Sequence, residues 1–551
     1  MKTLNRILTT VLLILAAPGT AHAQKSWNVA TGNWSGTNNW SPSGVPVTGD
    51  AISIANGGTA TLDASSTGIL SLSIASGNVL QKDNTSSARS ITLSTTTGLV
   101  TNAGTIRYSQ GSATFTITSG SSGWNNSGLI TAAVASELRI AVNAVNTPVI
   151  NTGTMQADGG VLTQLTTRWS NMTNTGGVLR AINGGTIRIS TGASITGGSV
   201  SVDAGSTFQH SRTNDRTDMT NVTVTNAGRM YTEQATNNNS MAINFLGTST
   251  LTNSGTLEYI ASGTTSGTVG PTASGSAANT ATITNQAAGL IRVANTTTSA
   301  TATAFFAIST PNFTNQGRIE VFSASGLTTG LSQLRSGTNV SNAGSILVDG
   351  PVSSIEMGAR TFTQTAGALS LVNGGRMTAG SVLINSGTLL GTGTINAPVT
   401  IGGILSPGSG GIGTLSVSNG VTWNAGNAWT FELGTAAASL AAADTGSTGD
   451  LLALAGAFTQ GTGTTFTFDF VNSGTDGWYK LVDYASTTFA TGANASFAAT
   501  NLPVGKSANF VVDSTTTALY VQIVPEPGAI ALAAVGAAAA GLVWRKRRRD
   551  R

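Results

Sequence analysis

The amino-acid sequence predicts an all-β protein. Its body would be a right-handed parallel β-helix, followed by a C-terminal antiparallel β cap or sandwich and one C-terminal transmembrane helix. Three observations support this prediction: an Asn-x-Gly motif recurs along the chain, only 9% of the 551 residues are charged, and cysteine is absent. Low charge with many β-branched residues favours ordered β structure over disorder, and a body without disulfides needs a large core.

Changes in composition along the chain divide it into five segments. They are residues 1–23, a signal peptide; residues 24–100, an N-terminal cap with the first coils; residues 101–420, the β-helix repeats; residues 421–523, a C-terminal β domain or cap; and residues 524–551, a tail made of a short motif, an apolar helix and a basic end.

The N-terminus has the three parts of a secretory signal. Lys2 and Arg6 precede an apolar run at residues 7–17, and Ala21 and Ala23 form a small-x-small cleavage site. Such a segment is removed after export, so we expect the export translocon to be a partner and the mature chain to start at Gln24.

Three of the nine tryptophans lie close together at the start of the mature chain: Trp27, Trp34 and Trp40. We expect them to cover the first coil, because the end of a repeat array needs a cap. The alternative is an exposed aromatic platform on which a carbohydrate stacks.

The Asn-x-Gly motif marks the repeat. Its asparagines are Asn102, Asn126, Asn151, Asn174, Asn226, Asn253, Asn315, Asn342 and Asn385, with a looser copy at Asn285. Most steps are 23 to 32 residues, and the step of 52 from Asn174 to Asn226 is interpreted as two periods. Such a period indicates stacked repeats, and a propeller blade would need a longer one.

Each copy predicts a turn followed by a strand. Asn tolerates the left-handed region and Gly takes positive φ freely, so the motif would form a sharp turn. Apolar and polar residues then alternate, as in residues 256–259 and 318–321, so one side of each strand would face the core. In stacked coils the asparagines could form ladders.

The end of the repeat region resembles a known repeat family. Residues 391–395, 403–408 and 413–417 read GTGTI, GILSPG and GTLSV, which is similar to the autotransporter-associated β-strand repeat. That resemblance implies parallel β-helix coils. After residue 423 aromatic strands become frequent, and we expect antiparallel pairing there.

The C-terminal tail has three parts. Pro525, Glu526 and Pro527 precede an apolar run at residues 528–544, which is followed by a basic cluster of Arg545, Lys546, Arg547, Arg548 and Arg549. The prolines favour an extended chain, the run is at the short end of what spans a bilayer, and basic residues stay cytoplasmic. An ordinary membrane anchor is the alternative interpretation.

This tail resembles the PEP-CTERM signal of bacterial proteins that exosortases process. The resemblance implies a Gram-negative cell that makes extracellular polysaccharide. It also implies an exosortase-type enzyme as a partner, a transient stay in the inner membrane, and a final place at the cell surface or in its matrix.

The body offers little that indicates catalysis. Without the signal and the tail, it holds 18 basic and 21 acidic residues, so no basic face for nucleic acid is expected. We expect no cofactor and no metal site, because the body has one histidine and Asp158-Gly159-Gly160 occurs alone. The densest polar cluster comprises His210, Arg212, Asp215, Arg216 and Asp218. It is interpreted as a solvated loop, with an acid/base site for polysaccharide cleavage as the alternative.

The sequence therefore favours a non-enzymatic, exported structural or adhesion protein of the cell surface or extracellular matrix, with extracellular polysaccharide as a partner and no expected catalytic residue. Two alternatives stay open. One is a polysaccharide lyase or hydrolase on a β-helix scaffold, and the other is an unprocessed, membrane-anchored periplasmic scaffold.

Overall fold

A computed structural model describes residues 22–526, together with residues 538, 540, 544, 545 and 548 near the C-terminus. The gaps within the first range are residues 110, 112, 145, 166–168, 191, 212–215, 235–241, 263–266, 271–279, 298–301, 409, 447 and 473.

The chain winds into coils that each contribute one strand to three faces, taken here in chain order as the first, second and third face. Strands of successive coils pair in parallel and in register, as Thr223–Asn226 does with Thr250–Asn253. The predicted all-β solenoid with long parallel sheets is confirmed, and its right-handed winding stays a prediction.

The first face consists of two sheets that occupy the same position in the coil. The strands of the N-terminal sheet are Gln24–Trp27, Trp40–Ser41, Ala51–Ile54, Ser71–Ile74, Leu99–Asn102, Gly123–Asn126, Val149–Asn151, Trp169–Thr173, Ala193–Thr196, Arg216–Thr220 and Ala242–Leu246. Those of the C-terminal sheet are Gly267–Val269, Ala302–Ile308, Leu331–Ser336, Ser353–Glu356, Arg376–Thr378, Thr394–Asn396, Thr414–Val417, Leu451–Leu454, Gly477–Asp483, Gly492–Ala493, Lys506–Asp513 and Ala518–Pro525.

The second face runs along the whole body as one parallel sheet. Its strands are Thr31–Asn33, Thr59–Leu62, Val79–Lys82, Thr105–Tyr108, Leu129–Ala132, Thr154–Asp158, Val178–Ile182, Ser199–Val202, Thr223–Asn226, Thr250–Asn253, Thr282–Asn285, Asn312–Asn315, Val340–Asn342, Thr361–Gln364, Ser381–Ile384, Val399–Ile401, Val421–Trp423, Ala457–Gln460 and Ser486–Thr487.

The third face is a long sheet continued by a short one. The long sheet comprises Ser66–Ile69, Arg89–Leu93, Thr114–Ser119, Glu137–Val142, Val161–Leu165, Thr186–Ile189, Thr207–His210, Arg229–Gln234, Thr256–Ala261, Leu290–Asn295, Arg318–Ser323, Ser345–Asp349, Ala368–Val372, Thr388–Gly391 and Ile404–Pro407. The short sheet comprises Trp429–Glu432, Phe466–Asn472 and Phe497–Thr500. A 3-10 turn at Thr37–Asn39 and an α-helix at Leu440–Gly446 lie outside the sheets.

The core is a column of inward side chains that repeats from coil to coil. On the second face, Val224, Leu251, Ile283 and Phe313 lie above one another in register and are buried. Each fully buried side chain of this kind contributes roughly 1.5–3 kcal/mol of hydrophobic stabilisation, so the column provides the large core that a body without disulfides requires.

Asparagine side chains form two buried ladders at the corners of the coils. The first joins Asn102, Asn126, Asn151 and Asn174. The second joins Asn226, Asn253, Asn285, Asn315 and Asn342 and ends on Gln364. In each step the Nδ2 donates to the next amide oxygen over 2.6–2.8 Å, and all these residues are fully buried.

The two ladders occupy different corners. The first lies at the ends of strands of the first face, such as Gly123–Asn126, whereas the second lies at the ends of strands of the second face, such as Thr223–Asn226. The step from Asn174 to Asn226 therefore spans two coils and one additional strand. Its interpretation as two periods is wrong, because the motif moves by one corner between the ladders.

Most glycines of the motif differ from the predicted turn, and only Gly176 and Gly387 have the positive φ that was expected. Gly128 and Gly255 do not have positive φ, so a left-handed turn is not the reason for glycine there. A Cβ at Gly128 would instead lie 2.1 Å from the carbonyl oxygen of Gly104 in the preceding coil. Glycine is required because successive coils approach closely at these corners.

The N-terminal tryptophans cap the first coil. Trp27, Trp34 and Trp40 are buried, and the Trp40 ring meets the other two edge-to-face at centroid distances of 5.0 and 4.9 Å. The Trp40 Nε1 donates to the Trp34 carbonyl oxygen. The interpretation as a carbohydrate platform is wrong, since buried rings offer no face to a sugar.

The C-terminal region continues the solenoid for longer than predicted. Strands after residue 421 still pair in parallel, and the last of them on the third face is Phe497–Thr500. In the final cap the strands pair antiparallel: Ala518–Pro525 pairs with Gly477–Asp483 and Lys506–Asp513, and Lys506–Asp513 also pairs with Gly492–Ala493. Of the two alternatives that the sequence left open, the antiparallel cap is present but limited to the last strands. The sandwich from residue 421 is wrong because the aromatic side chains, such as Trp423 stacked on Trp429, fill the interior of parallel coils.

Candidate functional site

The tail motif begins within the last strand of the body. Pro525 ends Ala518–Pro525 and lies opposite Lys506, and the Glu526 N–H donates to the Gly505 carbonyl oxygen over 2.8 Å. Glu526 itself is exposed. The motif therefore starts without a spacer at the edge of the folded body.

Most of the remaining tail lies outside the described residues, including Pro527, Lys546, Arg547 and Arg549. Arg545 and Arg548 are helical and exposed, and the Arg548 guanidinium lies 4.2 Å from the centroid of the Trp544 ring. In the part of the chain that the structure describes, no helix has the length and apolarity needed to cross a bilayer. The transmembrane helix expected at residues 528–544 falls largely outside that part.

The predicted signal peptide also lies almost entirely outside the described residues, including Ala21. Ala23 is described, and its N–H donates to Asp50 Oδ1 over 3.2 Å. The predicted mature terminus, Gln24, begins the first strand. A chain cut there would keep every strand of the described fold.

The polar cluster around His210 does not assemble as an acid/base site in the described residues. His210 is fully buried, and its Nδ1 lies 3.0 Å from Thr217 Oγ1. Arg216 Nε donates to Asp218 Oδ2 over 2.8 Å, and Asn244 Nδ2 donates to Asp218 Oδ1 over 2.6 Å. Arg212 and Asp215 lie outside the described residues.

A row of alternating charges crosses the middle of the third face. Glu258 accepts from Arg229 and also lies 3.6 Å from Arg292, which in turn lies 3.6 Å from Glu320. Glu320 then pairs with Arg318 over 2.8 Å. Each charge is paired with an opposite charge on its own strand or on a neighbouring coil, and these partly exposed pairs contribute modestly to stability.

In the same coils, the strands Thr223–Asn226, Thr250–Asn253 and Thr282–Asn285 of the second face are uncharged and rich in threonine. Successive strands place Thr223, Thr250 and Thr282 in one outward row, and Thr225, Thr252 and Thr284 in a second row beside it. The coil spacing of about 4.8 Å and the spacing of about 6.6 Å between alternate residues of a strand make this a regular lattice of hydroxyl and methyl groups.

A groove on the first face was not predicted. It has a volume of about 580 Å³ and lies beside the strands Leu331–Ser336 and Ser353–Glu356. Its charged lining residues, Glu356 and Arg376, come from separate strands, so no local motif marked them. The groove could have been found in the sequence from the recurrence of Gln, Ser, Glu and Arg at outward positions of neighbouring coils. That recurrence can be recognised only when the register between the coils is known.

Comparison with protein families identifies the tail. The family model of the PEP-CTERM protein-sorting motif matches residues 524–549, which confirms the resemblance stated from the sequence. The chain therefore carries the sorting motif of exported Gram-negative proteins that an exosortase-type system processes. A search of curated proteins finds no match for the chain.

Proposed function

We propose that this protein is a non-enzymatic structural or adhesion component of the cell surface or its extracellular matrix. The observation that carries the proposal is the sorting motif at the end of a long solenoid, joined to the last strand by the Glu526-to-Gly505 hydrogen bond. In this proposal the export translocon delivers the chain, the inner membrane holds it briefly through residues 528–544, and an exosortase-type enzyme releases it.

The threonine lattice of the second face supports a role in contacts with polysaccharide. Hydroxyl groups both donate and accept hydrogen bonds, and the absence of charge in strands such as Thr250–Asn253 avoids the cost of desolvating ions. A long row of identical groups suits many weak contacts with a repeating polymer, since multivalency raises the overall affinity without a single strong contact.

The decisive experiment is mass spectrometry of both termini of the protein recovered from the cell surface, the medium and the membrane. We expect a start at Gln24 and an end near Pro527, with the Arg tail absent. Glu526→Ala should accumulate with an intact Arg551 in the membrane fraction, whereas Asp203→Ala, which alters an exposed acid far from the tail, should be processed normally.

An intact Arg551 in the membrane fraction of the unaltered protein would contradict the proposal and leave an anchored periplasmic scaffold. The non-enzymatic part needs its own assay, in which the protein is incubated with acidic and neutral polysaccharides. We expect no new chain ends. Cleavage that Asp215→Asn or Asp218→Asn abolishes would instead establish the lyase or hydrolase alternative.

A further inference from the structure

The groove on the first face is built by two loops at the same corner of successive coils. Residues 324–330 lead into Leu331–Ser336, and residues 350–352 lead into Ser353–Glu356. Thr328, Thr329 and Pro351 contribute its walls. The groove is open to solvent along one side of the solenoid, which a polymer could enter without threading an end.

The floor of the groove is polar, and hydrogen bonds to neighbouring side chains hold it in place. Gln333 is 8% exposed, and its Nε2 donates to Ser354 Oγ over 3.3 Å. Its Oε1 accepts from Arg335 Nε over 2.7 Å, and the Arg335 guanidinium lies 4.4 Å from the centroid of the Phe305 ring. Stacking and hydrogen bonding therefore fix this guanidinium before any ligand arrives.

Two charged side chains, Glu356 and Arg376, line the groove, and Arg335 lies next to them through its hydrogen bond to Gln333. Arg335 lies opposite Glu356 in the strand register, and Arg376 lies opposite Ser354. Burial lowers the pKa of the Arg335 guanidinium, and the nearby Glu356 partly opposes that shift. The groove lining therefore carries one guanidinium and one carboxylate, and the Arg335 guanidinium lies beside the lining, opposite Glu356.

These three groups differ from the paired charges of the third face. Among the described residues, no ion pair within 4.0 Å engages Arg335, Glu356 or Arg376, whereas the row from Arg229 to Glu320 is joined by contacts of 3.6 Å or less. A guanidinium left without a carboxylate partner in a groove is available to an external anion.

We infer that this groove binds a negatively charged oligosaccharide, such as a segment of a uronic acid polymer. A guanidinium recognises a carboxylate through two parallel hydrogen bonds, and Arg376 is the exposed group placed to do so. Gln333, Thr328 and Thr329 supply partners for ring hydroxyls. Leu331, which is 39% exposed, and Pro351 offer an apolar surface to the sugar ring.

The inference goes beyond the proposed function, because it assigns a ligand class to a site that sorting does not require. The test uses the protein recovered from cells and titrates it calorimetrically with a short oligogalacturonate. The methyl-esterified form of the same oligosaccharide serves as the neutral probe. We expect the acid form to bind, with an affinity that falls as salt is added, and the ester to bind at least tenfold more weakly.

Two substitutions of opposite sign localise the binding. Arg376→Gln should weaken it about tenfold, as expected for loss of one charge-assisted contact, and Glu356→Gln should maintain or tighten it. Arg360→Gln, which removes an exposed positive charge outside the groove lining, should leave it unchanged.

Equal binding of acid and ester, equal weakening by Arg376→Gln and Arg360→Gln, or no binding by the unaltered protein would each overturn the inference. These outcomes are independent of the termini determined by mass spectrometry. A protein could be processed and released as proposed and still fail to bind the acidic sugar.

Discussion

At the corners of the coils, single atoms decide which residue fits. A Cβ at Gly255 would lie 2.1 Å from the Gly228 carbonyl oxygen, while the neighbouring Asn253 amide accepts from Asn226 and donates to Asn285. The motif could be recognised in the sequence, but the reason why glycine is needed at this position could not. Close approach of a preceding coil is a tertiary contact, whereas a turn rule considers only the residue's own φ and ψ.

The ladders predict different costs for interior and terminal asparagines. Asn285→Val would leave the Asn315 Oδ1 and the Gly289 carbonyl oxygen without the donor they share, so we expect a loss of about 2–4 kcal/mol in the free energy of unfolding. Asn226→Val should cost less, because its Oδ1 already lacks a donor among the described residues and Val202 lies beneath it in register. Thermal unfolding of both variants tests the order, and equal shifts would contradict it.

The glycine contacts predict a second residue-level effect. Gly255→Ala should destabilise the protein by about 1–3 kcal/mol, because the new methyl group overpacks a backbone carbonyl. Gly337→Ala is the matched control, since a Cβ there meets nothing within 4 Å and Gly337 does not have positive φ. Unfolding midpoints that fall equally for both substitutions would refute the contact explanation.

At the scale of elements, the strands were easier to predict than their partners. Alternation identified segments such as Thr256–Ala261 and Arg318–Ser323, because one side of each strand faces the core. The aromatic strands after residue 423 alternate in the same way in either pairing direction. Composition therefore could not distinguish a parallel coil such as Phe466–Asn472 from an antiparallel sandwich.

One buried carboxylate connects the last coils and predicts a pH effect. Asp450 accepts from the Gly413 and Glu432 N–H groups, both over 2.8 Å, and burial raises its pKa to about 6 from the ordinary value of 3.8. Because the folded state holds this proton more tightly, the stabilisation is complete below pH 3.8 and is lost as the pH rises through 6. The difference amounts to about 3 kcal/mol.

Asp450→Asn removes this titration. Relative to the variant, the unaltered protein should therefore be more stable at pH 4 than at pH 7. Hydrogen exchange of peptides covering residues 408–454 measures local opening in this region. A difference that is constant over that pH range would show that Asp450 does not titrate there.

At the scale of the whole molecule, the sorting tail and the fold meet in a single strand. Ala518–Pro525 is paired on both sides, and Leu519, Tyr520 and Val521 are buried. The tail was fully visible in the sequence because proline, apolar and basic residues follow one another directly. Its lack of a spacer was not visible, since the pairing of the last strand depends on distant residues.

This arrangement predicts a sharp boundary for tolerated truncation. A chain ending after Glu526 should unfold at the same temperature as the full chain, since it keeps every strand of the cap. A chain ending after Thr517 should lose the cap, become sensitive to protease at residues 477–513 and expose the aromatic interior. Limited proteolysis with mass spectrometry compares the two, and equal resistance would show that the last strand is dispensable.

The change of corner between the two ladders also bears on how such a chain can grow by duplication. A crossover that joins Asn226 to Asn253 removes one whole coil and leaves the remainder in register. A crossover that joins Asn174 to Asn226 looks equally homologous in sequence, yet it removes two coils and one strand. Each later strand would then occupy the next face of the coil. Gain and loss of repeats would therefore be confined to exchanges within the first ladder or within the second ladder.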